Sequence, residues 1–325
     1  MAKLEIVRYD PTLATEWDSF VDTQANNGTL FHKRAFLEYH PPDRFVDDSL
    51  LFYQKGKLLA VLPAARRHGD DEKILISHPG ASFGGFVVRP DLSLKNAISL
   101  VQNLKKYANQ QHYGGLDLTL PPVVYLKRPS NYLDFALYNA GFRYRKREVS
   151  SVIPLDVDED NVLMLFKPEA QRAVRRAQKL GVEIKLDHDY ATFYAILQKN
   201  LKLRHNVIPT HSLDELEKLI QWFPDEIQLF AAYVENTMAA GIVLFNANPK
   251  TTLAFYISHA ESYQKYRAVN FLFYEVFRWC IRNKFSFLDF GIFTVNMAPN
   301  WGLARFKESF GAQGVFRDSM RLMLV

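Results

Sequence analysis

Asp289 and Lys307 stand in the segments of this chain whose residue types and spacing best suit chemistry. Asp289 lies in Leu288-Asp289-Phe290-Gly291, where a short apolar run ends in a carboxylate and a glycine. Lys307 lies in Gly302-Leu303-Ala304-Arg305-Phe306-Lys307-Glu308-Ser309-Phe310-Gly311, a helix-compatible stretch that stops at a glycine. Phe306 and Phe310 are four apart and share one helix face. Lys307 then lies about 100° round from Phe306, beside the buried stripe. A cation held there can be aimed at a pocket and oppose a developing oxyanion. The same spacing also suits an amphipathic helix with a snorkelling lysine. Asp289 can accept a proton or bind backbone amides.

A second group is cationic. Arg172, Arg175, Arg176 and Lys179 spread over one broad face of a helix that has Pro168 in its first turn and Gly181 just past its end. Such a face can meet phosphates or simply be solvated. Arg204, His205 and His211 follow in Leu203-Arg204-His205-Asn206-Val207-Ile208-Pro209-Thr210-His211-Ser212. Arg204 can grip a carboxylate or pyrophosphate in a forked geometry. His205 and His211 titrate near neutral pH, as a general base must. Ser212 is expected to cap the helix starting Leu213-Asp214-Glu215. The histidine spacing fits no zinc motif, so no metal is expected. No nucleophile elbow, Walker loop or H-E-x-x-H occurs.

The elements that must position these residues form two similar strings. Leu50 to Tyr53 and Leu58 to Leu62, joined by Gly56-Lys57, read as a β-hairpin; Gln228 to Val234 and Met238 to Leu244 read the same way. Each hairpin is followed by a strand, a long helix (94–110 and 267–282) and another strand (116–120 and 287–290). Helices precede each hairpin: 11–22 and 33–39 in the first half, 169–180, 190–205 and 213–222 in the second. The acidic turn at 156–160 marks the junction, giving domains 1–155 and 156–325. Arg317-Asp318-Ser319 reads as a break before an apolar tail, 320–325, that needs a sheet edge and can return to the first domain.

Composition bounds the rest. With 325 residues and 48% hydrophobic content the chain can bury two sizeable cores. Its net charge of +5 favours anionic partners without requiring them. The single cysteine, Cys280, excludes an internal disulfide and a cysteine-rich zinc site. Charges interrupt the N-terminus before any apolar run, and no stretch is long enough to span a bilayer, so a soluble, cytoplasmic protein is expected.

D-x-G followed by F-K-x-x-F-G, the basic helix from Arg172 to Val182 and the Arg204-His205 turn resemble the FemABX aminoacyl transferases and their GNAT acyltransferase relatives. The resemblance spans nearly the whole chain and is weaker in the first half. It implies an α+β fold of two tandem GNAT-like domains, each a central mixed sheet flanked by helices. Tyr256 matches a tyrosine that contacts substrate in those relatives. In acetyl-CoA-dependent GNAT enzymes an [RQ]-x-x-G-x-[GA] loop binds pyrophosphate after this strand. Gln264 fits it, whereas Arg267 replaces the glycine and Val269 the small residue. The activity implied is transfer of an activated acyl or aminoacyl group to an amine by direct attack. Lys307 would face the oxyanion, Asp289 would accept the proton, and Phe306 and Tyr256 would shape the pocket. Arg172, Arg176 and Arg204 would hold an anionic donor. That donor is acyl-CoA or the acceptor end of an aminoacyl-tRNA, with no permanently bound cofactor and no DNA. The acceptor is a small-molecule, saccharide or peptidoglycan-precursor amine. The other class the sequence allows is a non-catalytic nucleotide- or saccharide-binding module on the same fold.

Overall fold

The computed structural model describes residues 4–41, 43–69, 72–205 and 207–324, with backbone alone at 203–205. The chain forms two compact units, one of Met1–Val149 with Phe316–Val325 and one of Ser150–Val315. It passes between them within the strands Arg143–Pro154 and Gln313–Met323. Both units are mixtures of sheet and helix.

In the first unit, the hairpin Leu50–Gln54 and Lys57–Leu62 turns through Lys55 and Gly56, both at positive φ. Leu4–Arg8 extends one arm and Val87–Val88 the other. A separate run of strands places Ile74–Ser77 parallel to Gly115–Thr119. Parallel strands need a crossover, and the helix Leu94–Gln110 supplies it. Its buried positions, Ala97, Leu100, Val101, Leu104 and Ala108, follow helical spacing and pack on Leu116, Leu118 and Met320. The Ser93 hydroxyl caps its start, accepting from the Asn96 amide at 3.2 Å. Residues 317–319 are not a break: Gln313–Met323 is one strand, and Ser319 to Met323 pair antiparallel with Thr119 to Gly115. Asp318 can sit inside it because the Arg147 guanidinium neutralises it through two bonds of 2.9 and 3.1 Å.

In the second unit the strands run Glu183–Asp187, Ile227–Val234, Thr237–Asn248, Thr251–His259, Phe287–Ile292 and then residues 150–154. The hairpin turn is formed by Glu235 and Asn236, both at positive φ. The helix Ala268–Arg282 covers one face, burying Leu272, Phe273, Val276, Phe277 and Cys280, while Tyr190–His205 packs against the middle strands. Complete burial pushes the Cys280 thiol's pKa well up, as an inert core cysteine requires. The Ser212 hydroxyl and Glu215 carboxylate form the expected capping box. Thr251–His259 and Phe287–Ile292 run parallel but pair only from Thr251↔Phe287 to Leu253↔Asp289. Beyond that point the two strands part. Among the described residues no helix is long and apolar enough to cross a membrane.

Candidate active site

Phe287–Ile292 parts from Thr251–His259 on one side and shifts register against residues 150–154 between Asp289 and Ile292 on the other, so its backbone there must be held by something other than a ladder. Asp289 and Lys307 do this. The Asp289 carboxylate accepts from the Ser150 hydroxyl at 2.5 Å and the Gly291 amide at 2.7 Å. The Lys307 ammonium donates to the carbonyls of Gly291 and Ile292 at 2.7 and 2.9 Å. Lys307 is buried, which lowers its pKa to about 8, with Asp289 pulling it back up. Neither residue lines the neighbouring cavity.

The rest of the F-K-x-x-F-G segment divides its labour by helical angle. On the helix Trp301–Glu308 and its C-terminal turn, Phe310 points into the core, with ring centroids 5.0 Å from both Phe166 and Phe273. Phe306 packs 5.1 Å from Phe310 and forms cavity wall. Gly311, at φ 90°, ends the turn where a Cβ would sit 2.5 Å from the Leu165 carbonyl oxygen. Only glycine meets both demands.

The cavity, of ≈ 860 Å³, opens at the splay and is lined wholly by second-unit residues. Its apolar walls include Leu197, Leu201, Ile257, Leu303 and Phe306. Three cations line it: Arg172 and Arg176, one turn apart on the helix Pro168–Lys179, and Arg267. None of the three has a carboxylate partner among the described residues. Arg267 is the N-cap of the Ala268–Arg282 helix, at φ 58° and ψ 30°, with no side-chain cap. Arg267 therefore takes up the left-handed backbone that a glycine adopts freely. Ala268, Val269 and Asn270 follow it along the cavity wall as the first helical turn; Asn270 donates its amide to the Arg267 carbonyl at 3.1 Å, while the amides of Ala268 and Val269 precede the first intrahelical bond. Gln264 lines the cavity beside them. Positive charge and helix dipole thus converge, as an anionic ligand requires.

Other expected residues lie elsewhere. Tyr256 is buried, and its hydroxyl accepts from the His211 amide at 3.0 Å and bonds His211 Nδ1 at 2.9 Å. Burial pushes the Tyr256 pKa up to about 12. His211 is buried among Phe245, Phe255 and Tyr256. The side chains of Arg204 and His205 fall outside the described residues. Residues not singled out from sequence also line the cavity: Glu169, Asn200, His259 and Asn270. Asn200 donates to the Ser258 hydroxyl and the His259 carbonyl at 3.0 and 2.7 Å, fixing the end of Thr251–His259. The available signal for His259 was its place as the last strand residue before Gln264.

Residues 166–308 match the family model described as an acetyltransferase (GNAT) domain. No curated protein sequence matches the chain. Among solved structures, FemX is similar over 98% of this chain and 97% of its own, at 14% identity and a TM-score of 0.75. A tandem GNAT protein from the clavulanic acid biosynthesis pathway, solved without AcCoA, is similar over 99% and 98%, at 12% identity and 0.56. L-PGS from Bacillus licheniformis is similar over 96% and 91%, at 11% identity and 0.58. These structural similarities show a FemX-like tandem GNAT fold, and the match of residues 166–308 to a GNAT acetyltransferase domain supports an acyltransferase.

Proposed function

We propose that this acyltransferase binds acyl-CoA in the second-unit cavity and transfers its acyl group to an amine. The observation that carries the reading is the meeting of Arg172, Arg176 and Arg267 with the open start of the Ala268–Arg282 helix, beside an apolar passage to the strand splay. Phosphates belong at the cationic end, where charge-assisted bonds and amides reinforce each other. The thioester belongs at the splay, between Ile257 and Phe306.

The amine attacks the thioester carbonyl, forming the C–N bond. The C–S bond then breaks and the thiolate leaves. Amides of the Thr251–His259 strand beyond Leu253 face the side vacated by Phe287–Ile292, and these donors suit the oxyanion. His259 lines the cavity at the strand end and accepts the amine proton. Lys307 and Asp289 act one step back: they hold the departing strand so that the gap stays open. Phe306 forms wall.

A thermal-shift series with acetyl-CoA, longer acyl-CoAs, uncharged tRNA and a UDP-sugar tests this. Stabilisation by acyl-CoA, lost in Arg172→Ala/Arg176→Ala, is expected. Stabilisation by tRNA alone would replace acyl-CoA with an aminoacyl donor, and stabilisation by the UDP-sugar alone would favour a binding module.

A further inference from the structure

The first unit carries, on its own surface, a set of exposed rings interleaved with arginines. Tyr132, Phe135 and Tyr138 recur every three residues on the helix Tyr132–Asn139, so they occupy an arc of about 120°. Phe135 and Tyr138 are each 53% exposed, while Ala136 and Leu137 of the same helix are buried in the core. Tyr144 and Phe316 add two further exposed rings. Arginines lie against three of these rings, and Asp134 of the same helix faces the Arg147 charge, which ties the two groups together. The Arg143 guanidinium lies 4.7 Å from the Tyr138 centroid, and that of Arg147 lies 4.4 Å from Tyr144 and 4.0 Å from Phe316. Exposed Lys127 and Arg128 lead into the helix.

Charge in the patch is only partly spent within the fold. Asp318 neutralises Arg147, and Asp117 lies 3.0 Å from Arg145. Arg143, Lys127 and Arg128 have no carboxylate partner among the described residues. Five exposed rings beside uncompensated cations form an apolar surface with a basic rim, which a monomer in water has no reason to maintain.

We propose that this surface docks the protein on an anionic phospholipid bilayer. Lipid phosphates complement Arg143, Lys127 and Arg128, and rings on one helix face can enter the boundary between headgroups and acyl chains. Tyrosine suits that boundary because its ring is apolar and its tip polar. A single nucleic-acid strand fits the patch less well. Base stacking needs open ring faces, and arginines already occupy one face of Tyr138, Tyr144 and Phe316. The inference does not depend on the acyl donor.

Co-sedimentation of the full chain with vesicles tests it. Vesicles of phosphatidylcholine alone are compared with equal parts phosphatidylcholine and phosphatidylglycerol, at low and high salt. Binding to the anionic vesicles is expected, weakened by salt. Arg143→Glu is expected to lower partitioning about tenfold or more, and Phe135→Ser/Tyr138→Ser to abolish it. Both variants change exposed side chains, so their melting temperatures should match the wild type. No binding to anionic vesicles overturns the proposal, as does equal binding to both vesicle types or by both variants. Binding of a single-stranded oligonucleotide, or self-association, that replaces vesicle binding and is lost in these variants overturns it equally.

Discussion

The long helices of the two units occupy the same place in the element order, yet they begin differently. Leu94–Gln110 starts behind Ser93, whose side chain satisfies an orphan amide from within. Ala268–Arg282 starts behind Arg267, which offers no side-chain cap and holds a left-handed backbone at the edge of a cavity. The strands differ to match. Ile74–Ser77 pairs with Gly115–Thr119 at four positions, throughout its length, whereas Thr251–His259 parts from Phe287–Ile292 after three. One unit caps its helix start from within; the other leaves it uncapped at a cavity, where we propose the ligand binds. The lesson is that similar scaffolds become a structural unit or a binding unit through a few terminal residues.

The first way to strain this comparison is acid, because the closed unit buries neutral histidines. Burial lowers the pKa values of both His32 and His78 to about 4. Below the ordinary value near 6.5 the unfolded chain takes up these protons first. The stability they contribute is therefore complete above about pH 6.5 and lost as pH falls toward 4, on the order of 3 kcal/mol each. Denaturant titrations from pH 7 to pH 4, with histidine NMR, will check this. A ring of either residue titrating near pH 6.5 would break the assignment.

Next in size is the tie that holds the splay open. Lys307→Met leaves two half-buried carbonyls without their donor and should destabilise the protein by about 2 kcal/mol. The folded pKa of about 8 lies below the free value of 10.5. Between those pH values the unfolded chain keeps the proton longer, so wild-type stability should rise relative to Lys307→Met as pH climbs. A difference that stays flat across that window would show that Lys307 keeps its free titration. Unchanged stability with collapsed turnover would instead make Lys307 a catalytic cation.

Smaller effects separate the two helix starts. Arg267→Gly preserves the left-handed backbone and removes only the cation. It should weaken acetyl-CoA binding about tenfold by calorimetry, with the melting temperature unchanged or slightly raised. Ser93→Ala should do the reverse, costing about 1 kcal/mol of stability and leaving acetyl-CoA affinity as it was. A change in affinity from Ser93→Ala would end the contrast between the units.

Much of the site's frame was legible in residue spacing. Pro168 and Gly181 bound their helix, Ser212 and Glu215 cap theirs, and Phe306, Phe310 and Gly311 mark a packed turn. Arg172, Arg176, Gln264, Arg267 and Phe306 line the cavity because their positions follow directly from helix phase or loop position. Tyr256 was less legible. The register with Thr237–Asn248 skips Phe255, and this bulge helps decide which face each later side chain takes. Tyr256 therefore meets His211 rather than the cavity.

The sequence by itself determined element order, helix ends and the cluster of cations, because propensity, capping and periodicity act over a few neighbouring residues. What Lys307 and Asp289 do was decided only by tertiary structure. Spacing puts a lysine beside a buried stripe and a carboxylate at a strand end, but says nothing of which groups face them. That depended on where Phe287–Ile292 stops pairing regularly with its neighbours, which leaves carbonyls for the ammonium and brings the Ser150 hydroxyl to the carboxylate; only the Gly291 amide, two residues from Asp289, is a local partner. The carbonyls that Lys307 meets lie 16 and 15 residues away, and Ser150 lies 139 residues from Asp289, distances across which no local rule operates.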